Sequence, residues 1–287
     1  MREIRGSVAV VTGAASGIGR ALAQSLAARG SQLALADLDS AGLEQTSKLL
    51  GNAQVRTYKL DVSDASAVET FARQVQQDFG RASLLINNAG VAMHGTFAEL
   101  SLADIEWLMK INFWGVVYGC KFFLPMLQRE PDAHLVNISS VFGLIGFPGQ
   151  TAYCASKFAV RGLTETLRHE LSETNVHVTC VHPGGIRTPI ARNARVGAAA
   201  SGANSADMVQ RFEKLTPTMP ETAAQVIIEG VLRNKPRVLI GADARRIDRI
   251  QRLMPTRATG LVVKTMEKQA PPAEEPAAPV TTAAARK

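Results

Sequence analysis

Long apolar runs are missing from this chain. No stretch approaches the eighteen or so apolar residues of a membrane-spanning helix, and MREIRGSVAVVTG at the start has no apolar core ahead of a small-residue cleavage site. A membrane-spanning or secreted protein is therefore not expected, and a cytoplasmic one is. Cysteine is scarce too: Cys120, Cys154 and Cys180 lie far apart with no CxxC spacing, which argues against a disulfide framework and against a metal site. Cys154 is the one thiol to watch because it adjoins Tyr153, although reactivity would need a lowered pKa. Aromatic residues make up only 5% of the chain and are not interleaved with a basic stripe, so nucleic acid is not an expected partner. The formal net charge of +7 does not change this, because residues 233–268 hold ten Lys or Arg against three Asp or Glu and account for all of it.

What is present is an ordinary globular composition, 46% hydrophobic and 20% charged over 287 residues, enough for one large α/β domain. Val8 to Thr12 is a β-branched run that ends in Gly13-Ala14-Ala15-Ser16-Gly17-Ile18-Gly19, after which Ala21, Leu22, Leu26 and Ala27 recur at helical spacing. The pattern reads as buried strand, tight turn and helix. Glycines there permit the turn, let the backbone approach a pyrophosphate and aim a helix N-terminus at its charge. The spacing is TGxxxGxG, wider between its first two glycines than GxGxxG. A second strand, Gln32 to Asp37, ends in an acid that would accept hydrogen bonds from an adenosine ribose diol and repel a 2′-phosphate. Asp37 thus favours NAD over NADP, unless it serves as a turn or helix N-cap aspartate.

Further strands are expected at Val55 to Leu60, leading to Asp61-Val62, and at Ser83 to Ile86, leading to Asn87-Asn88-Ala89-Gly90. Two adjacent asparagines at a buried strand end need hydrogen-bond partners, whether they brace strands or serve a ligand. Ser101 with Asp104 forms a capping-box pattern before a long apolar helix that carries Asn112, with Pro125 expected to bend or end it. Asn112 could kink that helix, hold a water or face solvent. The strand His134 to Ile138 delivers Ser139-Ser140, and Val176 to Val181 leads to His182-Pro183-Gly184-Gly185-Ile186-Arg187-Thr188-Pro189. A seventh strand is expected at Arg237 to Gly241. The alternation predicts a doubly wound (Rossmann) seven-stranded parallel α/β sheet, with every motif at a strand's carboxyl end, where such sheets bind ligands.

Between the fifth and sixth of these strands, Ser140 precedes Tyr153 by thirteen residues and Lys157 follows it by four, so phenol and ammonium share one helix face. A neighbouring cation would favour the phenolate and lower a pKa that is otherwise about 10. Taken alone, YxxxK is also an ordinary surface pair.

With the other motifs it is specific. Residues 7 to about 240 resemble the short-chain dehydrogenase/reductase family of NAD(P)-dependent oxidoreductases through TGAASGIG, Asp61-Val62, NNAG, Asn112, Ser140, Tyr153-x-x-x-Lys157 and PGGIRT, in order. The resemblance implies that Tyr153 is the general acid/base and that Ser140 holds the substrate oxygen. Lys157 would bind the nicotinamide ribose, and Asn112 would hold a water linking Lys157 to solvent. Gly13, Ser16, Ile18 and Gly19 would form the pyrophosphate turn, Asp37 would take the adenosine ribose, and Asp61 and Val62 the adenine. Asn88, Ala89 and Gly90 would line the middle of the cofactor, and Pro183, Gly184, Ile186 and Thr188 its carboxamide end. It also implies hydride transfer between NAD(H) and a secondary alcohol or ketone. Met93, His94, Phe97, Val141, Phe142, Leu144, Ile145 and Phe147 would face the substrate, and their apolar character favours a hydrophobic one. A homodimer or homotetramer is expected by the same resemblance.

These expectations divide the chain into a catalytic domain at 1–243 with a lid within 189–215, a basic amphipathic extension at 244–268 and a disordered Pro/Ala-rich tail at 269–287. The extension departs from the family's pattern. Its segment 245–254 is expected to pack on its own domain, with a second subunit or an acidic lipid surface as alternatives. Other functions stay open: a dinucleotide sensor or scaffold without chemistry, or an epimerase or dehydratase on the same fold.

Overall fold

Val8–Thr12 (β1), buried at every position, pairs in parallel on one side with Gln32–Asp37 (β2) and on the other with Leu84–Asn87 (β4). The computed structural model describes residues 1, 3–190, 192–196 and 218–269. Val55–Lys59 (β3), Ala133–Ile138 (β6), Val176–Pro183 (β7) and Arg237–Ile240 (β9) complete a 7-stranded sheet in the order β3-β2-β1-β4-β6-β7-β9, parallel throughout. This is the doubly wound sheet that the alternating pattern implies. Runs of Val, Leu, Ile and Ala in its central strands are buried on both faces, as a sheet covered by helices requires.

One face is covered by Gly17–Ala27 (α1) and Pro220–Leu232 (α7), the latter begun by a proline, where the missing N–H costs nothing. Ser40–Lys48 (α2) follows β2 and is capped by Asp39, whose side chain accepts from Gly42 N. On the other face lie Ala65–Phe79 (α3), Gly115–Leu127 (α5) and Thr151–Glu170 (α6). Asp64 caps α3 by accepting from the N–H groups of Ser66 and Ala67.

The long helix expected after Ser101 is not continuous. Leu102–Met109 (α4) gives way to a π-turn at Lys110–Trp114 before α5 begins, and Asn112 is buried inside that widened turn. Pro125 does not break the helix where it stands; α5 runs two residues past it to Leu127. β7 extends to Pro183 because His182 and Pro183 stay in register with Leu239 and Ile240 of the edge strand β9. A two-stranded parallel pair, Met93–His94 (β5) with Arg195–Val196 (β8), was too short to be read from sequence. From residue 197 onward the expected lid lies outside the described residues, as do residues 270–287 of the expected disordered tail.

The basic extension folds into two helices, Ala242–Leu253 (α8) and Ala258–Gln269 (α9). Ala244, Ile247, Ala258 and Val262 pack in one cluster with Val141 and Ile145, so the extension lies against the segment that follows Ser140.

The turn before α1 is the tightest contact in the sheet rim. A Cβ added at Gly19 would fall 2.0 Å from the Gly13 carbonyl oxygen and 2.8 Å from Asn88 Nδ2. Since Asn88 Nδ2 donates to the carbonyls of Thr12 and Gly13, the neighbours cannot give without losing these bonds. Gly19→Ala should lower stability by roughly 3 kcal/mol, the upper range for overpacking, read as a shift in the denaturant midpoint. An unchanged midpoint would contradict this close packing.

Candidate active site

The carboxyl ends of β1, β2, β4, β6 and β7 bring the residues singled out above to one rim. At β1 the chain turns through Gly13 (φ 68°) and Gly17 (φ 52°), both in the left-handed region that favours glycine. Ser16 is the N-cap of α1, yet its side chain caps nothing and the first turn carries no acid. The N–H groups there are thus left without a side-chain acceptor, and with Gly13 and Gly19 stripped of side chains the turn fits an approaching pyrophosphate. Ile18 packs on the core under α1.

Asp37 ends β2 with one carboxylate oxygen accepting from Ala15 N at 2.9 Å and the other from Asp39 N at 3.1 Å. It therefore has the turn role weighed above, and it ties the glycine turn to β2. A carboxylate offers about four acceptor sites, so capacity for a diol is left. Asp61 Oδ1 accepts from the N–H and hydroxyl of Ser63, while Val62 lies against Gly115 of α5.

At β4 the two asparagines divide their work. Asn87 Nδ2 donates to Asn137 Oδ1 at 2.9 Å, and Asn137 Nδ2 donates to Thr164 Oγ1 at 3.0 Å, a buried brace joining β4, β6 and α6. Asn88 ties β4 to β1, and Thr12 Oγ1 accepts from the N–H groups of both Asn88 and Ala89 at 3.1 Å. A Cβ at Gly90 would lie 3.2 Å from Asn112 Oδ1 and 3.5 Å from Lys157 Nζ, so this loop lies directly against both. The Asn112 amide is committed to that contact. Its Oδ1 accepts from Val91 N at 2.8 Å, and its Nδ2 donates to Val91 O at 2.9 Å and to Ser156 Oγ at 3.3 Å. Both amide hydrogens are used on protein, so the side chain braces the loop, and a water relay through those hydrogens does not fit.

Ser140, Tyr153 and Lys157 come together at the end of β6 and the start of α6. Ser140 is 7% exposed; its Oγ accepts from Phe142 N at 3.1 Å and lies close enough to the Tyr153 phenol to favour its ionised form. Lys157, 4% exposed, has its Nζ 5.7 Å from the Tyr153 ring centroid and donates to the Ile138 carbonyl at 3.1 Å. The expected depression of the phenol pKa is not what this arrangement produces. Burial pushes Tyr153 up to about 12, outweighing the lowering influence of the nearby Ser140 hydroxyl, and burial also pushes Lys157 down to about 8. Both shifts have one physical cause, the lost hydration of the charged form. Ser139 has the structural role, donating to the Lys157 carbonyl at 2.8 Å.

The last contribution comes from β7. Pro183 closes the strand, and a Cβ at Gly184 would come 2.1 Å from Asp243 Oδ2, the same atom that accepts from Gly185 N at 2.7 Å. Ile186 bridges to Thr218, and Thr188 lies over Gly17 at the head of α1. Two residues here were missed. Asp243 holds the Gly184-Gly185 turn, and buried His182 donates from Nδ1 to the Ser140 carbonyl at 2.9 Å, its imidazole held neutral by burial at a pKa of about 4. The only signal of either in the sequence is position: His182 next to PGG, and Asp243 in the first turn after Gly241.

Aromatic residues flank the phenol. Phe142 and Phe147 stack at 5.2 Å, and Phe142 meets Tyr153 edge-on at 6.2 Å. Met93 was expected to face the substrate but is 1% exposed, packed with Leu100, Leu108 and Ala152 beneath Tyr153. Leu144 is likewise buried, and Val141 and Ile145 are core residues because the helices α8 and α9 cover that side of the loop. His94 Nδ1 is hydrogen-bonded to Gln150 Nε2. Cys154 is buried, and burial raises its thiol pKa, so it lacks the character of a reactive thiol.

The family model for short chain dehydrogenase matches residues 7–198. The chain belongs to the short-chain dehydrogenase family. Among the relatives of this short-chain dehydrogenase is a Mycobacterium tuberculosis protein named as the oxidoreductase SadH, 45% identical over 274 residues that cover 93% of this chain and 98% of that protein. A CLA biosynthesis dehydrogenase/reductase of Lactiplantibacillus plantarum is 38% identical over 197 residues, 66% of this chain and 68% of its own. The crystal structure of a short chain dehydrogenase/reductase from Burkholderia phymatum in complex with NAD superimposes with a TM-score of 0.82 at 31% identity, covering 97% of this chain and 100% of its own. This short-chain dehydrogenase is an oxidoreductase by family, and its extension through α8 falls within a length shared with that neighbour.

Proposed function

We propose that this short-chain dehydrogenase transfers hydride between NAD(H) and a hydrophobic secondary alcohol or ketone, with Tyr153 as the general acid/base. The observation that carries the reading is the meeting of three groups at one rim: the buried Ser140 hydroxyl, the half-buried Tyr153 phenol, and the Lys157 ammonium, whose Nζ lies 5.7 Å from the Tyr153 ring centroid. When bound, the nicotinamide would supply or accept the hydride and, when oxidised, a positive charge near the phenol. Ser140 orients the substrate oxygen, Tyr153 holds or receives its proton, and Lys157 offers its N–H groups to the cofactor's ribose. Asn112 and Asn88 fix the loop that presents Gly90 to the same space. Gly13, Ser16, Ile18 and Gly19 would cradle the pyrophosphate, Asp61 and Val62 the adenine, and Ile186 and Thr188 the carboxamide end. Phe142 and Phe147 supply an apolar, aromatic border that suits a hydrophobic substrate.

An absorbance screen at the nicotinamide band, with both cofactors against aliphatic, steroidal and aromatic alcohols and their ketones, tests the reading. Net NADH formation or consumption is expected. Binding without turnover would point to a sensor, and isomerised or dehydrated product without net redox to an epimerase or dehydratase.

The preference for NAD rests on Asp37. Replacing it with Asn keeps an acceptor for Ala15 N and removes only the charge, so the ratio of kcat/KM for NAD over NADP should fall about tenfold, near 1.4 kcal/mol of lost repulsion toward a 2′-phosphate. A ratio that does not move would withdraw Asp37 from cofactor choice.

A further inference from the structure

The excess positive charge of the chain lies in residues 233–268, and the fold sorts it by face. Helix α8 carries Asp243 and Asp248, and both turn inward. Asp243 accepts from Gly185 N at 2.7 Å, and Asp248, 7% exposed, pairs with Arg237 at 2.9 Å and with Arg252 at 2.9 Å. Ala244 and Ile247 lie in the cluster under Val141 and Ile145. What remains outside is basic and apolar. Arg245, Arg246 and Arg249 are exposed, make no ion pair among the described residues, and border one open depression with Ala242 and Ile250. Arg246, Arg249 and Leu253 stand at i, i+3 and i+7, hence on one stripe of the helix. At its end the stripe reaches Leu253, 79% exposed, and Met254, 40% exposed, and the first turn of α9 that follows exposes Leu261 at 41%. Arg257, also exposed, adds a further cation between the two helices.

We infer that this face of the α8–α9 hairpin docks on an anionic phospholipid surface, the arginines meeting headgroup phosphates while Leu253, Met254 and Leu261 enter the headgroup–acyl boundary. Charge complementarity selects this occupant. A symmetric pairing with a second copy would bring the arginine stripe against itself, like charge on like. Residues 270–287 hold Glu274 and Glu275 against Arg286 and Lys287 and so have no net charge to offer. Residues 242–257 contain no aromatic side chain on which a nucleic acid base could stack, and Leu253 and Met254 have no use on a phosphate backbone. A basic face joined to an apolar edge is the composition of an interfacial helix. The surface stands independently of the reaction proposed above. Because the hairpin backs the Val141–Phe142 segment, it would set that segment near the membrane plane.

The test uses the full chain and extruded vesicles, one set of phosphatidylcholine alone and one containing phosphatidylglycerol, followed by co-sedimentation at low and high salt. Binding is expected to the anionic vesicles only and to be lost at high salt. Reversing all three exposed arginines (R245E, R246E, R249E) should weaken the partition by about a hundredfold or more, at a few-fold per charge near an anionic surface. Leu253→Ser should weaken it about fivefold through lost apolar insertion. These positions are exposed, and a thermal melt of each variant establishes that it is folded. Equal binding to phosphatidylcholine, or no response to charge reversal, would overturn the inference. Loss with the arginines but none with Leu253 would make the face a site for soluble polyanions and overturn it equally. A fall in oligomer size by sedimentation velocity in the Leu253 variant would assign the face to a second copy instead.

Discussion

Tyr153→Phe should reduce turnover by about 10²–10⁴-fold, the usual contribution of a positioned acid/base, while NADH affinity stays nearly intact. Phenylalanine keeps the ring that packs edge-on against Phe142 and over Leu108 and Met93, so the fold and the rim of the cofactor site are preserved. What it removes is the hydroxyl beside Ser140. Steady-state rates together with a fluorescence titration of NADH separate the two effects. Substantial residual activity in this variant would sink the assignment of Tyr153.

In the proposed reaction the same phenol should set the pH dependence, and the sign follows from its environment. With burial holding its pKa at about 12, Tyr153 is protonated across the neutral range and ready as an acid. Ketone reduction, which needs the acid, should vary little between about pH 6 and 8. Alcohol oxidation, which needs the phenolate, should rise about tenfold per pH unit over the same range until the pKa in the complex is reached. Oxidation that falls as pH rises in this window would be incompatible with Tyr153 as the base.

The sheet was legible because a β-branched run followed by glycines and a helical stripe has few other readings, and that pattern recurs along the chain. The rim residues were legible for a related reason, since each follows a strand that could be recognised. Three kinds of information were not. The spacing of Tyr153 and Lys157 shows that they share a helix face, but not that burial would raise the phenol pKa instead of the ammonium lowering it. Asn112 stands out as an amide among apolar neighbours, yet its partners on Val91 and Ser156 are long-range contacts that no local pattern carries. Which of the apolar residues after Ser140 face the substrate and which the core was not legible, because the sequence does not say that α8 and α9 return to cover the loop, which is what makes Ile145 core and leaves Phe142 and Phe147 at the border.

Lys157→Met is expected to make the protein more stable and far less active. The lysine is 4% exposed and, of its three N–H groups, one is matched by an acceptor among the described residues, the Ile138 carbonyl at 3.1 Å. Burial lowers its pKa from 10.5 to about 8, so the unfolded chain holds this proton more tightly than the folded one. At neutral pH the lysine is charged in both states and the folded protein bears the whole penalty. As pH rises from about 8 to about 10.5 the penalty is relieved and stability increases. The shift corresponds to roughly 3 kcal/mol, and methionine, similar in length and apolar, should recover on the order of 2 kcal/mol of it near pH 7. Denaturant unfolding of both proteins at pH 7 and pH 10 would show the gap narrowing at the higher pH. Turnover should fall by about a hundredfold or more if, as proposed, the lysine's N–H groups hold the cofactor's ribose. A variant that is less stable at pH 7 would mean that the ammonium contributes to folding after all. The predicted result, stability gained as activity is lost, would identify Lys157 as a residue whose buried charge is held against folding for the sake of the reaction.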